Sequence, residues 1–100
     1  MLIAVTGANG FIGAFLCKYL IKIGYKIRPI QRQKGKNVFL IKDLKKNNNW
    51  VTALSGVDVI IHCASKVHSF DNSEKANYDL INVIATEQIA RKAASLNIKR

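Results

Sequence analysis

TGANGFIG, residues 6–13, is the stretch that decides the fold of this chain. It follows an apolar run, Leu2–Val5, that predicts a buried strand, and it opens an amphipathic segment that predicts a helix. In such a unit Gly7 turns the chain out of the strand, Gly10 leaves room for a pyrophosphate, and Gly13 brings the helix close to the sheet. The helix N-terminus offers free N–H groups to the anion, so the stretch predicts a dinucleotide site.

Strand and helix patterns alternate through the rest of the chain. A second strand is expected over Lys26–Gln31, and apolar runs predict two more over Val38–Ile41 and 57–64. The last run lacks the polar alternation of a half-exposed sheet. The predicted fold class is α/β, a Rossmann-type doubly wound parallel sheet of about four strands in the order 3-2-1-4, with flanking helices. Because Pro29 cannot donate to a ladder, we expect the second strand to be irregular.

Three helices are expected between and after these strands. The first ends at Gly24, the second is short and places Trp50 and Leu54 in the core, and the third is capped by residues 71–73. Two apolar sets recur at helical spacing and are expected to face the core: Ile12, Phe15, Leu16, Tyr19, Leu20 and Ile23 in the first helix, and Tyr78, Ile81, Ala85, Ile89, Ala93 and Leu96 in the last.

The composition is that of one small globular domain. The chain has 100 residues, of which 49% are hydrophobic and 22% are charged, so a single modest core is expected. It contains no apolar run of about 18 residues and no basic region ahead of its first apolar run, so neither a membrane span nor a signal peptide is predicted. Cys17 and Cys63 lie inside helix and strand patterns, which indicates reduced thiols and a cytoplasmic location.

Positive charge dominates the surface. The formal net charge is +10, and basic residues crowd the segment between Lys26 and Lys46. Such a field attracts polyanions, so a nucleic-acid partner stays open. No motif with stacking aromatic residues accompanies the charge, which favours a solvated face or a basic rim for phosphate-bearing cofactors and substrates.

The pattern Thr-Gly-x-x-Gly-Phe-Ile-Gly resembles the cofactor fingerprint of the extended short-chain dehydrogenase/reductases, in particular their NAD-dependent epimerase/dehydratase branch. Three further patterns are similar to that branch: the pair Asp43–Leu44, the run Val-Ile-Ile-His-x-Ala-x-x-Val-His at 59–68, and Asn-Val-x-x-Thr at 82–86. The resemblance covers the whole chain but only the first part of the family's fold.

Twelve cofactor-binding residues are expected from the glycine motif, from the basic residue after the second strand and from the resemblance. They are Gly7, Gly10, Phe11, Ile12, Gly13, Arg32, Asp43, Leu44, Cys63, Ala64, Ser65 and Asn82. The resemblance implies that Asp43 accepts a hydrogen bond from the adenine amine, that residues 63–65 line the nicotinamide-side ribose, and that Asn82 helps to orient the active site. Taken alone, Asp43 is equally a turn or cap carboxylate and Asn82 a chance polar position. No metal site is predicted, because adjacent residues such as His62 and Cys63 point to opposite faces of a strand.

The end of the second strand bears on the choice between NAD and NADP. An acidic residue there binds the ribose 2′-hydroxyl and repels a 2′-phosphate. Gln31 occupies this position, Arg32 follows it, and Lys34 and Lys36 are close in sequence. The predicted cofactor is therefore NAD or NADP, with a slight preference for NADP. The alternative is that Arg32 only stacks on the adenine or points to solvent, which would remove the preference for NADP.

The family's catalytic Tyr-x-x-x-Lys pattern does not occur here, since the residues four positions after the three tyrosines are Ile23, Pro29 and Asn82. Residues 1–100 are therefore expected to be an NAD(P)-binding Rossmann domain that stops before the fifth strand, with no catalytic residue of its own. The resemblance implies the N-terminal part of a nucleotide-sugar epimerase, dehydratase or reductase that transfers hydride at a sugar carbon in polysaccharide synthesis.

Other interpretations stay open. A non-catalytic dinucleotide-sensing module and an inactive gene fragment fit the same residues, and a basic nucleic-acid-binding domain fits the charge. A nucleotide sugar is a partner only if a C-terminal lobe exists, and a homodimer is compatible with the family. The fourth strand is expected to be an open edge, so the isolated chain should be marginally stable or oligomeric.

Overall fold

The computed structural model of the chain describes residues 1–35, 37–41, 50–64 and 75–100, and for 75–81 the backbone alone. Strands and helices alternate along these residues. In chain order they are β1 (Leu2–Thr6), α1 (Phe11–Lys22), β2 (Lys26–Gln31), β3 (Phe39–Leu40), α2 (Trp50–Leu54), β4 (Val59–His62) and α3 (Lys75–Ser95).

The strands form one parallel sheet in the order β3-β2-β1-β4, as the sequence predicts. β1 is central because it pairs with β2 on one side and with β4 on the other. Thr6 is in register with both Ile30 and His62, so the carboxyl ends of three strands meet at one edge. β3 and β4 are shorter than the apolar runs 38–41 and 57–64.

Helices cover both faces of the sheet. On one face, α2 and α3 pack against the sheet through a cluster that includes Ala4, Ile30, Ile41, Trp50, Leu54, Ala85 and Ile89. On the other face, α1 packs through a smaller cluster formed by Ile3, Val5, Ala8 and Cys17, with Leu20, Ile27, Val59, Ile61 and Cys63 against it. The core positions expected at Trp50 and Leu54 are confirmed, since both side chains are fully buried.

The buried face of α1 differs from the face that the spacing predicts. Gly13 and Cys17 are its buried residues, and Leu16 is half-buried beside them. Phe15 and Tyr19, which the spacing places in the core, are 73% and 53% exposed. Ile12 and Ile23 are exposed as well. The reason is that Gly13 of α1 contacts the turn at Gly7 that precedes the helix. The small residues of α1 therefore face inward, and the larger apolar residues stay on the outside.

Several main-chain bonds fix the ends of the elements. α1 closes as a Schellman motif around Gly24, with φ of +102°: Gly24 N donates to Ile21 O and Tyr25 N to Leu20 O. Ile60 N donates to Arg100 O over 2.8 Å, so the expected open edge of β4 is engaged at one point.

Two more features complete the frame. Arg28 of β2 donates from Nη1 to the carbonyl oxygens of Ala53 and Ser55, at 2.7 and 2.6 Å, and so caps the C-terminal end of α2. Pro29 lies within an interior strand, and β3 pairs with that strand only from Ile30 onward. None of the helices in the described part of the chain is long and apolar enough to cross a membrane.

Candidate functional site

A cavity of about 370 Å³ opens at the carboxyl ends of the strands, where ligands bind in open α/β sheets. It lies at the point where the strand order changes direction between β1 and β4. Its walls are Thr6, Gly7, Asn9, Gly10, Phe11, Ile12, Gly13, Ile30, Gln31, Arg32, Ile41, Trp50, Cys63 and Ala64.

The turn from β1 into α1 is packed so closely that side chains are excluded from it. A Cβ atom on Gly7 would lie 2.7 Å from Ala64 N and 2.8 Å from Cys63 C, and the φ of Gly7 is +65°. A Cβ on Gly13 would overlap the carbonyl oxygen of Gly7. Gly13 therefore brings α1 onto the glycine turn itself, rather than onto the sheet as the sequence predicts.

The N-terminus of α1 faces the cavity with unsatisfied donors. The first helical bond runs from Ala14 N to Gly10 O, so the N–H groups of Phe11, Ile12 and Gly13 precede the hydrogen-bonded ladder. Gly10 provides no side-chain cap, and the first turn contains no acidic residue. These groups and the positive end of the helix dipole suit a phosphate.

Thr6 ties the two strands that flank the cavity. Its side chain is 1% exposed, and its Oγ1 lies 2.6 Å from His62 Nδ1. The same oxygen accepts hydrogen bonds from the backbone N–H groups of Cys63, at 3.0 Å, and Ala64, at 3.1 Å. The segment that leaves β4 is therefore held against the glycine turn.

The opposite wall of the cavity is made of neutral amides and one cation. Gln31 Nε2 donates to Gln33 O, and Asn9 Nδ2 donates to Gln33 Oε1, both over 2.8 Å. These bonds join the glycine turn to the loop after β2. Arg32 lies between the two glutamines in sequence and lines the cavity. Among the described residues that line this wall, Arg32 adds a positive charge to the neutral amides, and none of them is a carboxylate.

The floor of the cavity is apolar. Ile30, Ile41 and Trp50 line it, and all three side chains are almost fully buried. The indole N–H of Trp50 has no hydrogen-bond partner among the described residues. A flat apolar floor of this kind suits an aromatic ring such as adenine.

The structure brings most of the expected site residues to one place. Eight of them line the cavity: Gly7, Gly10, Phe11, Ile12, Gly13, Arg32, Cys63 and Ala64. Asn82 is half-buried on α3, and its backbone carbonyl oxygen accepts a hydrogen bond from Thr86 Oγ1. Asn82 does not line the cavity. Asp43, Leu44 and Ser65 lie outside the described residues.

Two contributions to this site go beyond the residues that the sequence predicts. One is the Thr6 hydroxyl with its partner His62, and the other is the floor at Ile30, Ile41 and Trp50. The floor follows from a simple rule, because each of these residues lies at the end of a strand or the start of a helix on the side where ligands bind. The pairing of Thr6 with His62 carries no sequence signal.

Two groups near the site have shifted protonation equilibria. Burial lowers the pKa of His62 from its ordinary value of 6.5 and favours the neutral imidazole. Burial, and secondarily the charge of a Cys63 thiolate, raises the pKa of Cys17. Both cysteines are free. Within residues 1–35, 37–41, 50–64 and 82–100, no group of three or more metal-ligating side chains occurs.

Known proteins resemble this chain over most or all of its length. A sterol-4-alpha-carboxylate 3-dehydrogenase of Dictyostelium discoideum is 31% identical over 83% of this chain and 27% of its own length. A UDP-glucose 4-epimerase of Vibrio cholerae is 27% identical over 98% of this chain and 32% of its own length. The structure of MoeE5 in complex with UDP-glucose and NAD superposes with a TM-score of 0.82 and 26% identity, over 100% of this chain and 34% of that one.

The chain thus spans about a third of the relatives that it matches. The model of the NAD dependent epimerase/dehydratase family matches residues 3–100, a range that contains the glycine turn, both walls of the cavity and α3. The chain therefore belongs to the NAD-dependent epimerase/dehydratase family.

Proposed function

We propose that this chain binds a nicotinamide dinucleotide in the cavity at the carboxyl ends of β1, β2 and β4. The observation that carries the proposal is the glycine turn: Gly7 and Gly13 pack it so closely that a Cβ would clash with the backbone, and all three glycines line the cavity. The adjacent N–H groups of α1 suit the pyrophosphate, and the floor at Trp50 suits the adenine.

The residues on the two walls have separate roles in this proposal. Cys63 and Ala64, with Ser65, form the side next to the nicotinamide ribose, and Asp43 and Leu44 lie beside the adenine. Asn82 acts from α3. The nicotinamide, when bound, supplies a site that accepts or donates hydride, and the chain's own residues bind and orient it.

We further propose that the cofactor is NADP rather than NAD by a modest margin. Arg32 lines the cavity next to Gln31, and neither residue repels a 2′-phosphate. NAD is named with the MoeE5 structure, and a cofactor recycled without net oxidation is usual for an epimerase. A preference for NADP would therefore favour a reductase.

The whole protein is proposed to be a nucleotide-sugar epimerase, dehydratase or reductase of polysaccharide synthesis, with hydride transfer at a sugar carbon. The Val-Ile-Ile-His-x-Ala-x-x-Val-His pattern at 59–68 and the similarity to proteins named for UDP-glucose support this substrate class. The similarity to a sterol-4-alpha-carboxylate 3-dehydrogenase covers the same part of the chain, so a sterol substrate is the alternative to the sugar. Free Cys17 and Cys63 fit a reducing compartment such as the cytoplasm.

Titration with NADH and NADPH tests the binding site. Trp50 is the one tryptophan of the chain and lines the cavity, so its fluorescence should fall as either dinucleotide binds. We expect tighter binding of NADPH and a loss of about tenfold in its affinity in Arg32→Gln, since charge-assisted hydrogen bonds are strong. Lys34→Gln, which removes the same charge two residues away, is the matched control and should change the affinity for NADPH far less.

Two results would contradict these proposals separately. Failure of the folded chain to bind either dinucleotide would remove the binding function. Tenfold tighter binding of NADH than of NADPH would remove the NADP preference while leaving the site in place.

A further inference from the structure

The hydrogen bonds around the Thr6 hydroxyl define where its proton must be. Oγ1 accepts from the N–H groups of Cys63 and Ala64, at 3.0 and 3.1 Å. A hydroxyl oxygen has two lone pairs and one proton, so these two donors use its whole accepting capacity. The remaining contact, 2.6 Å to His62 Nδ1, is then a bond that the Thr6 hydroxyl donates.

The state of His62 follows from that count. A nitrogen that accepts the Thr6 proton has no proton of its own, so His62 is neutral and has its hydrogen on Nε2. The imidazolium or the Nδ1–H tautomer would aim a third donor at Oγ1. One of the two backbone N–H groups would then lose its hydrogen bond to Oγ1. Burial of His62, which disfavours the imidazolium, acts in the same direction.

The backbone that Thr6 holds is a wall of the cavity. Cys63 and Ala64 line the cavity, and the backbone atoms of this pair lie 2.7–2.8 Å from where a Gly7 Cβ would be. Cys63 N also donates to Thr6 O, at 3.2 Å, whereas the bond recorded for Ala64 N among the described residues is the one to Oγ1. The hydrogen bond of Ala64 N to Oγ1 therefore depends on the orientation of the Thr6 hydroxyl.

We propose that His62 is a positioning residue for dinucleotide binding: as a neutral, Nε2-protonated imidazole, it accepts the Thr6 hydroxyl proton and so turns both Thr6 lone pairs toward the Cys63–Ala64 backbone that walls the cavity. His62 does not itself line the cavity, so it acts through Thr6. The effect on binding rests on the function proposed above, whereas the tautomer and the Thr6 contacts do not.

The first arm of the test uses the unliganded chain. Long-range ¹H–¹⁵N correlation spectra distinguish the two tautomers and the imidazolium of each histidine, and the signals of His62 are identified by their loss in His62→Asn. We expect an unprotonated Nδ1 and a protonated Nε2 at neutral pH. A protonated Nδ1 would overturn the proposal, and this result needs no ligand.

The second arm compares two substitutions of similar size. Asn offers a side-chain oxygen that accepts the Thr6 proton, whereas Leu offers no acceptor. We expect His62→Leu to weaken NADPH binding about five- to tenfold, the effect of one hydrogen bond, and to speed amide exchange at Ala64. In His62→Asn, most of the affinity and the Ala64 protection should return.

The two arms separate this proposal from the binding function. Equal affinity and equal Ala64 exchange in the Leu and Asn variants would refute the positioning role. If the parent chain binds no dinucleotide, the function proposed above fails. The tautomer and the Ala64 exchange rate then decide the positioning role alone.

Discussion

Replacement of Gly7 by alanine should destabilise the fold by an amount that the geometry sets. Two terms contribute. The left-handed backbone at φ +65° costs a residue with a Cβ about 1–2 kcal/mol. The new Cβ would also press on Ala64 N, Ala64 Cα and Cys63 C at 2.7–2.8 Å, and such overpacking costs about 1–3 kcal/mol. The expected loss is therefore about 2–5 kcal/mol.

Gly56 provides a matched control for the backbone term. Its φ is +76°, close to that of Gly7, but a Cβ there would meet no atom within 4 Å. Gly56→Ala should therefore lose only the conformational part, about 1–2 kcal/mol. The difference between the two variants measures the close contact between the glycine turn and the backbone that follows β4.

Urea unfolding followed by circular dichroism provides the measurement. For an m-value of about 1–3 kcal/mol per molar, a loss of about 3 kcal/mol lowers the midpoint by about 1–3 M. An excluded osmolyte added equally to all samples keeps the weaker variant folded at zero urea. The argument fails if Gly7→Ala loses no more stability than Gly56→Ala, because the contact with Ala64 would then contribute nothing.

Three further outcomes are expected. Iodoacetamide should modify Cys63, which lines the cavity, and bound NADPH should slow that reaction. Cys17 is buried and has a raised pKa, so it should react only after unfolding. Equal reaction rates for the two thiols would contradict this prediction. Because the pKa of His62 is lower in the folded chain, the unfolded state binds more protons below about pH 6.5, so stability should fall as the pH drops from 6.5 toward the folded pKa. This slope should shrink in His62→Asn. The purified chain should be marginally stable or should self-associate, because Phe15 and other large apolar residues of α1 are exposed, and Phe15→Gln should shift sedimentation toward the monomer; a sharp, reversible monomer transition of the parent chain would oppose it.

Local sequence determined most of the sheet. The glycine motif and the apolar runs predict alternating strands and helices, and the doubly wound fold that this alternation indicates gives the observed strand order. β2 begins and ends where the sequence places it, at Lys26 and Gln31. The end of α1 at Gly24 is also predictable, because a residue with positive φ is needed there. These features depend on backbone propensity and on hydrophobic periodicity, and both are determined by residues that are close in sequence.

The rotation of α1 could not be predicted in this way. Counting apolar residues selects Phe15 and Tyr19 as buried because they are large and regularly spaced. The helix instead packs through Gly13 against the glycine turn and through Cys17 against the sheet, since only a residue without a Cβ fits against the Gly7 carbonyl. That contact depends on the position of the turn in space, which helical periodicity does not contain.

The bond between Thr6 and His62 shows the same limit for the site. The two residues are 56 positions apart and meet because β1 and β4 are in register. Either side chain alone is compatible with an ordinary structural role. Their joint effect on the Cys63–Ala64 backbone becomes visible only when the strand pairing is known.

The central position of β1 has a kinetic consequence. β1 pairs with β2 across a sequence separation of 24 residues, from Leu2 to Lys26. It pairs with β4 across a separation of 56 residues, from Ile3 to Val59. Closing the longer loop costs about 0.8 kcal/mol more in chain entropy, so β4 should join a β1–α1–β2 unit that forms earlier. One wall of the cavity arrives with β4, and a dinucleotide therefore has no complete site until that last strand is in place. A bound dinucleotide should accordingly slow unfolding while leaving the refolding rate almost unchanged.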